Sequence, residues 1–454
     1  MNSQYKINAF SIFRPQFLVH LGLLSLLVSC QTLKAGLTNS KSSEVSAKSH
    51  KEMVKEQKRL QSEADLPFRG LATSIKIQQI AFGANAQQNL PQPIWSTVLK
   101  NNPDLFLFAG DTVTNVASGT EKKSLSEAYK KLNKITEYRQ AREKIPFMAI
   151  WNHDDFGLNE NEVQTADKET VRKDFVKNWS YLNFTLPNNQ KALYHSKIFG
   201  QKKQLVQIIM LDTRWDQSEL KKKADLILSP ESTNNVANNV TTNTPSATPS
   251  TTAETASVSP MPVTAAQTTN NSDAQKPETS AANKQQPAVA PNSRIEYSPD
   301  SDNNKHFLSS AQWNWLESEL KKPAALRILV SPIPVIAQDH HDEKWGNFPQ
   351  EREKLLTLFK KTHAKNLLIV SGGRRLTALA KTDLKGLGTI YDVTAGNLNQ
   401  ETPAYLSRAD STYLAEAYSS PHFGLIKINW NNRKALVELR SSDDLPKQTV
   451  EISF

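Results

Sequence analysis

Apolar residues gather in runs of strand length: Ile77–Phe82, Leu105–Ala109, Phe147–Trp151, Leu205–Leu211, Leu326–Val330 and Leu367–Val370. Runs of this length suit strands. Helical spacing lies between most of them. Pro91 and Pro93 open one helix, Ser124 to Arg142 predicts a second with Ser124 as N-cap, and Ala311–Leu320 and Glu351–Lys361 predict two more. Strand and helix alternating along the chain predict an α/β fold.

Two stretches lack this patterning. Residues 31–66 are rich in Ser, Lys, Glu and Gln, and residues 228–292 in Thr, Asn, Ala, Ser and Pro, as in "TTNTPSATPSTTAETASVSP". With so few large apolar side chains, neither can offset the entropy of ordering, so the first reads as a flexible tether and the second as a disordered insertion. Loop closure grows only logarithmically with length. An insertion of this size costs roughly 1.7 kcal/mol more than a ten-residue loop, so residues 67–227 and 293–454 can form one interrupted domain.

The first 30 residues have another pattern. Lys6 and Arg14 precede the apolar stretch Phe17–Val28, which is too short to span a bilayer as a helix and reads as a signal peptide. Leu27-Val28-Ser29-Cys30 resembles the bacterial lipoprotein box, whose cysteine is lipidated and becomes the mature N-terminus. An ordinary secretory signal with an incidental cysteine is the alternative. The resemblance implies a cell-envelope protein held to the membrane by its lipid anchor alone. Gln31 after the cysteine favours the outer membrane, periplasmic or surface side, if the source is Gram-negative. Cys30 is the only cysteine, which rules out an intramolecular disulfide and a Cys-rich zinc site.

The formal net charge of +10 falls outside the insertion. In "EAYKKLNKITEYRQAREK" the lysines mix with glutamates as on a solvated helix face, so no nucleic-acid partner is expected. A basic surface also suits anionic ligands or lipid headgroups.

In α/β sheets, ligands collect beyond the carboxyl ends of the strands. Here those ends carry Gly110-Asp111, Asn152-His153-Asp154-Asp155, Asp212 and Ser371-Gly372-Gly373-Arg374-Arg375, and Leu326–Val330 leads towards Asp339-His340-His341-Asp342. The bland reading is that strands end in polar residues because loops are wet. "AGDT" followed about forty residues on by "WNHDD" points further, to a dinuclear phosphoesterase. Two cations need a bridging carboxylate such as Asp111 and ligands such as Asn152, His153 and Asp155 from the next strand. A neighbouring His153 or Asp154 would then act as the catalytic acid.

These segments resemble the alkaline phosphatase D-like (PhoD-like) metallophosphoesterases. "IAFGANAQQNLPQPIW", "PDLFLFAGD", "IPFMAIWNHDDFGLNE", "LDTRW", "SSAQWNWLESELKKPAALRILVSP" and "EKWGNFPQEREKLLTLF" follow that family's motifs in the family's order. The resemblance implies a calcineurin-like metallophosphoesterase fold, with two packed mixed β-sheets flanked by helices. It also implies hydrolysis of phosphate mono- or diesters by divalent calcium, iron, zinc or manganese.

The departures sit at the ligands. The family's Gly-Ser-Cys is Gly83-Ala84-Asn85 here, and an amide is a poorer ligand for a transition metal than a thiolate. Its Ser-Gly-Asp-x-His is Ser371-Gly372-Gly373-Arg374-Arg375. Arginine offers no lone pair, and at about 4 Å it repels a divalent ion by roughly 8 kcal/mol at an effective dielectric near 20. Aligned without a gap, Asn152, His153 and Asp154 replace Asp, Asp and His; slipped by one residue, they restore the wider superfamily's Asn-His-Asp. His340 stands where the family often has a histidine before Glu-Lys-Trp, and a surface-loop histidine is the alternative. His195 and His422 read as packing histidines.

Three classes follow. One is a metal-dependent phosphoesterase with a reduced site on Asp111 and Asn152 to Asp155, with Asn85 and His340 on its rim. Another is an inactive pseudophosphatase without metal, holding a phosphate ester or other anionic ligand through Arg374 and Arg375. The third is a structural envelope lipoprotein.

Overall fold

The computed structural model describes Lys55, Leu66 and residues 69–114, 124–157, 167–223, 295–400 and 409–454. The signal sequence with Cys30, most of the tether and the insertion lie outside the described residues. Residues on both sides of the insertion belong to one compact unit, Met1–Lys223 with Ile295–Phe454.

The strands are β1 (Gln79–Gly83), β2 (Leu105–Ala109), β3 (Phe147–Ile150), β4 (His195–Phe199), β5 (Val206–Met210), β6 (Leu326–Ser331), β7 (Leu367–Ser371), β8 (Thr377–Leu384), β9 (Gly388–Ala395), β10 (His422–Asn429), β11 (Lys434–Ser441) and β12 (Pro446–Ser453). They form two mixed six-stranded sheets, ordered β12-β11-β10-β1-β2-β3 and β4-β5-β6-β7-β9-β8. The apolar runs form the parallel part of each sheet, β1-β2-β3 in one and β5-β6-β7 in the other; β9 pairs parallel with β7, and antiparallel strands complete the edges.

Side-chain alternation divides the interior. On β5, β6 and β7, Ile208, Met210, Ile328, Val330, Leu368 and Val370 join the core shared with the first sheet. The intervening Ile209, Leu329 and Ile369 join a second core. This period of two is why these strands carry no polar face. The helices α1 (Ile94–Lys100), α2 (Leu125–Leu132), α3 (Thr136–Lys144), α4 (His153–Phe156), α5 (Lys168–Asn178), α6 (Ser310–Leu320) and α7 (Pro349–Lys361) flank the sheets. Trp95 of α1 packs its ring 5.0 Å from Phe106 and 5.9 Å from Phe147. α6 and α7 cover the second sheet through Leu316, Leu320, Leu355 and Phe359.

The helix expected over Ser124 to Arg142 is two. Ser124 caps α2 as its side chain accepts from the Glu127 N–H, but Ile135 is extended (φ −70°, ψ 118°) and starts α3 afresh. The break lets Tyr138 and Ala141 reach the core beside Trp95. Where the chain leaves for the insertion it also returns: Lys222 bridges Tyr297 antiparallel, and the Lys223 and Ser298 N–H groups donate to Glu296 and Lys221 at 2.7 and 2.9 Å. No helix among the described residues is long and apolar enough to cross a membrane.

Candidate functional site

The carboxyl ends of β2, β3, β5 and β7 meet, bringing both sheets to one rim. Over the two residues after β2, the backbone turns through consecutive positive φ angles at Gly110 (105°) and Asp111 (50°). A Cβ on Gly110 would lie 2.4 Å from the Asn152 Cβ, so a side chain there would push β3 away. A non-glycine residue held at positive φ carries strain, which concentrates at functional positions. The effect is to turn Asp111 towards the α4 turn. Its Oδ1 accepts the Asp154 N–H and its Oδ2 the Asn152 Nδ2, both at 2.7 Å.

Asp155, expected to bind metal, is placed where it fastens the turn. Its oxygens accept from the Thr112 N–H at 3.0 and 3.1 Å, Thr112 Oγ1 at 2.5 Å, the Val113 N–H at 3.3 Å and the Asn152 N–H at 3.2 Å. A carboxylate has about four lone-pair sites, and these donors fill them. Burial, then the charge of Asp111, pushes Asp155 up to about 8, and burial, then Asp154, pushes Asp111 up to about 6.

Asn152 is likewise committed. Its Oδ1, the atom a metal would need, accepts from Arg214 Nε at 2.9 Å and Nη2 at 2.6 Å. The same guanidinium is fully buried and pairs with Glu343 at 2.5 Å through both terminal nitrogens. Neither Arg214 nor Glu343 stood out in the sequence, although Arg214 lies two residues past the strand-end Asp212. That aspartate has a packing role, accepting from Trp151 Nε1 at 2.8 Å and the Leu193 N–H at 2.6 Å.

His153 Nδ1 lies 2.9 Å from Asp154 Oδ1, with 23% of its side chain exposed. Arg375 does reach the rim. Its Nη2 is 3.7 Å from Asp154 Oδ2, and 45% of its side chain is exposed. Against the effect of burial, the His153 bond and charge, then Arg375, hold Asp154 below the usual carboxylate range.

Arg374, expected beside Arg375, is buried away from solvent. Its Nε pairs with Asp342 at 3.0 Å and its Nη1 donates to Tyr413 Oη at 2.6 Å, so it has no open edge for a ligand. His340 is buried in the same cluster, its Nδ1 3.9 Å from Asp342. Arg374, expected to hold an anion, and His340, expected on the rim or in a surface loop, both lie buried in this cluster. Asn85 lies at φ 55° and donates from Nδ2 to the Gly396 carbonyl at 2.7 Å.

Gly373 explains one departure. It has φ 78°, and a Cβ there would lie 2.9 Å from the Pro332 carbonyl, so this backbone has no room for an aspartate. Among the described residues, no group of three or more His, Cys, Asp or Glu is placed to hold a metal ion. His195 and His422 do pack: His195 bonds to Tyr181 Oη and the Leu193 carbonyl, and His422 to the Gly396 N–H and the Ser420 carbonyl.

The chain matches no protein-family model and no curated protein. Among solved structures, that of PhoD is similar over 85% of this chain and 70% of its own, with a TM-score of 0.53 and 11% sequence identity. At that identity the likeness establishes a PhoD-like fold for the two mixed sheets.

Proposed function

We propose that this chain is an exported, lipid-anchored member of the PhoD-like branch of the calcineurin-like metallophosphoesterases whose rim binds without hydrolysing. The two-arginine departure at Arg374-Arg375 and the loss of the cysteine station at Asn85 are altered motifs of that family. One domain, 67–227 with 293–454, carries the rim, and 228–292 interrupts it.

The observation that carries this reading is the double hydrogen bond from Arg214 to Asn152 Oδ1. A divalent ion at that oxygen would have to displace a buried guanidinium already paired with Glu343, and moving an unpaired charge in a buried site costs several kcal/mol. Asp155 is similarly filled by three backbone N–H groups and the Thr112 hydroxyl. The donor set therefore does not fit a pair of metal ions, and no hydrolytic step is derived through one. What stays open is Arg375, whose guanidinium meets Asp154 on one side and solvent on the other. Its free N–H groups match the oxygens of a phosphate ester or another anionic group.

Elemental analysis of the purified full-length protein should find less than one equivalent of calcium, iron, zinc or manganese. Generic phosphomonoesters and phosphodiesters should not turn over with any of these ions added. Two bound ions together with turnover abolished by Asp111→Ala would make the protein an active phosphoesterase and end this reading. On the binding side, inorganic phosphate should raise the melting temperature of the wild type and not of Arg375→Ala.

A further inference from the structure

We propose that the end of the domain opposite the rim is a basic surface that docks on anionic lipid headgroups, so that the rim faces away from the membrane; this rests on the lipid-anchored reading above. Within each sheet the strands β1-β2-β3 and β5-β6-β7 share one direction, so the segments that enter them gather at the end away from the rim. Bonds join those segments across the two sheets. The Gly200 N–H, in the turn between β4 and β5, donates to the Thr73 carbonyl ahead of β1 at 2.9 Å, and the Ala325 N–H ahead of β6 donates to the Leu205 carbonyl at 2.9 Å.

Lysines stand at most of these entries. Lys76 precedes β1, Lys100 ends α1 ahead of β2, Lys144 ends α3 ahead of β3, Lys202 and Lys203 lie in the turn between β4 and β5, and Lys365 precedes β7. All are exposed, and among the described residues none of them pairs with a carboxylate. The carboxylates at this end are mostly taken. Asp104 accepts from the Gln78 and Gln79 N–H groups at 2.6 and 2.9 Å, Glu317 pairs with Lys321 and Lys361, and Glu319 pairs with Lys322. Glu143 is an exposed exception. Lysines spread over an end in this way make a broad positive field without a pocket, which suits a layer of headgroups better than a single small ion.

The route of the chain is a second observation. Arg69 donates from Nη1 to the Lys144 carbonyl at 2.7 Å, and the segment it begins passes the Thr73–Gly200 bond on its way to β1. A lipid on Cys30 would therefore lead into the domain at its basic end. Tethering raises the concentration of headgroups at these lysines, and each lysine beside an anionic surface strengthens binding roughly fivefold.

Lysine acetylation of the full-length lipidated protein, held in vesicles and read by mass spectrometry, tests the surface. In vesicles containing phosphatidylglycerol, Lys76, Lys100, Lys144, Lys202, Lys203 and Lys365 should react roughly threefold or more slowly than in pure phosphatidylcholine. Lys168, which donates to the Trp215 carbonyl beside the rim, should not change. Salt at about 1 M, where the Debye length is about 3 Å, should abolish the difference. Lys202→Glu with Lys203→Glu should return Lys100 and Lys144 to their phosphatidylcholine reactivity. Lys100→Glu with Lys365→Glu, on other segments, should do the same for Lys202 and Lys203.

Equal reactivity in the two lipids overturns the docking surface, as does protection of Lys168 along with the others, or protection that both variants retain. Intact mass reports the acyl chains on Cys30 separately. A Cys30 without lipid ends the anchored reading, and the same comparison at an excess of vesicles still decides the surface.

Discussion

At the scale of single residues, the rim is built by backbone conformation as much as by side-chain chemistry. Asn85 looked like a weakened ligand, yet at φ 55° with its amide on the Gly396 carbonyl it is placed for its conformation. Asparagine tolerates the left-handed region better than other non-glycine residues. Asn85→Gly should therefore cost under about 1 kcal/mol in chemical denaturation, since the lost bond is offset by relieved strain. Asn85→Cys, which restores the family's residue type, should cost about 2 kcal/mol by losing the bond and keeping the strain. Cys as stable as Asn would contradict this account. The positive φ angles at Asn85, Asp111 and Gly373 were not legible beforehand, because apolar patterning reports which face is buried and says nothing of how a strand ends. The Asn152–Asp155 cluster and the charge of Arg375 were legible. That Arg374 turns inward was not, since neighbouring residues of one type carry no signal of which way each faces.

At the scale of elements, the strands read from sequence were those buried on both faces. β4 and β8 to β12 were missed because their sequences mix polar and apolar positions, as in "HSKIF" of β4 and "PKQTVEIS" of β12, both edge strands with exposed or half-buried positions. The short helix α4 was also missed. It owes its turn to Asp155, whose carboxylate reaches back to the Asn152 N–H. The ladder formed by Lys221–Lys223 and Glu296–Ser298 closes the domain where the insertion departs. Replacing residues 224–294 with a short Gly/Ser linker should therefore leave the fold intact. It should raise unfolding stability by about 1–2 kcal/mol through the shorter loop. A cooperative transition lost or shifted downward would show instead that the segment helps hold the domain together.

At the scale of the whole molecule, two buried histidines set an acid limit. Burial holds His195 and His422 down at about 4 against an ordinary 6.5, and both make their bonds as neutral rings. Because the folded value is the lower, the unfolded chain takes up protons first. The histidines' contribution is complete above about pH 6.5 and is lost as pH drops towards 4, by up to about 3 kcal/mol for each. Asp155 and Asp111, raised to about 8 and about 6, act in the opposite direction over this range, so the histidine contribution is read as a difference. The gap between the urea midpoints of the wild type and His195→Gln should narrow as pH falls from 7.5 to 4.5, and a constant gap would refute the assignment.

The order of strands in the first sheet has a consequence for how the chain comes into being. β1, the first strand among the described residues, lies between β2 and β10, and β10 in turn needs β11 and β12 near residue 454. Such long-range pairing cannot form while the chain is still emerging. For a protein exported as proposed, synthesis and threading across a membrane would both finish before the sheet that carries Asp111 and Asn152 could close. The topology itself would then keep the precursor open for transport.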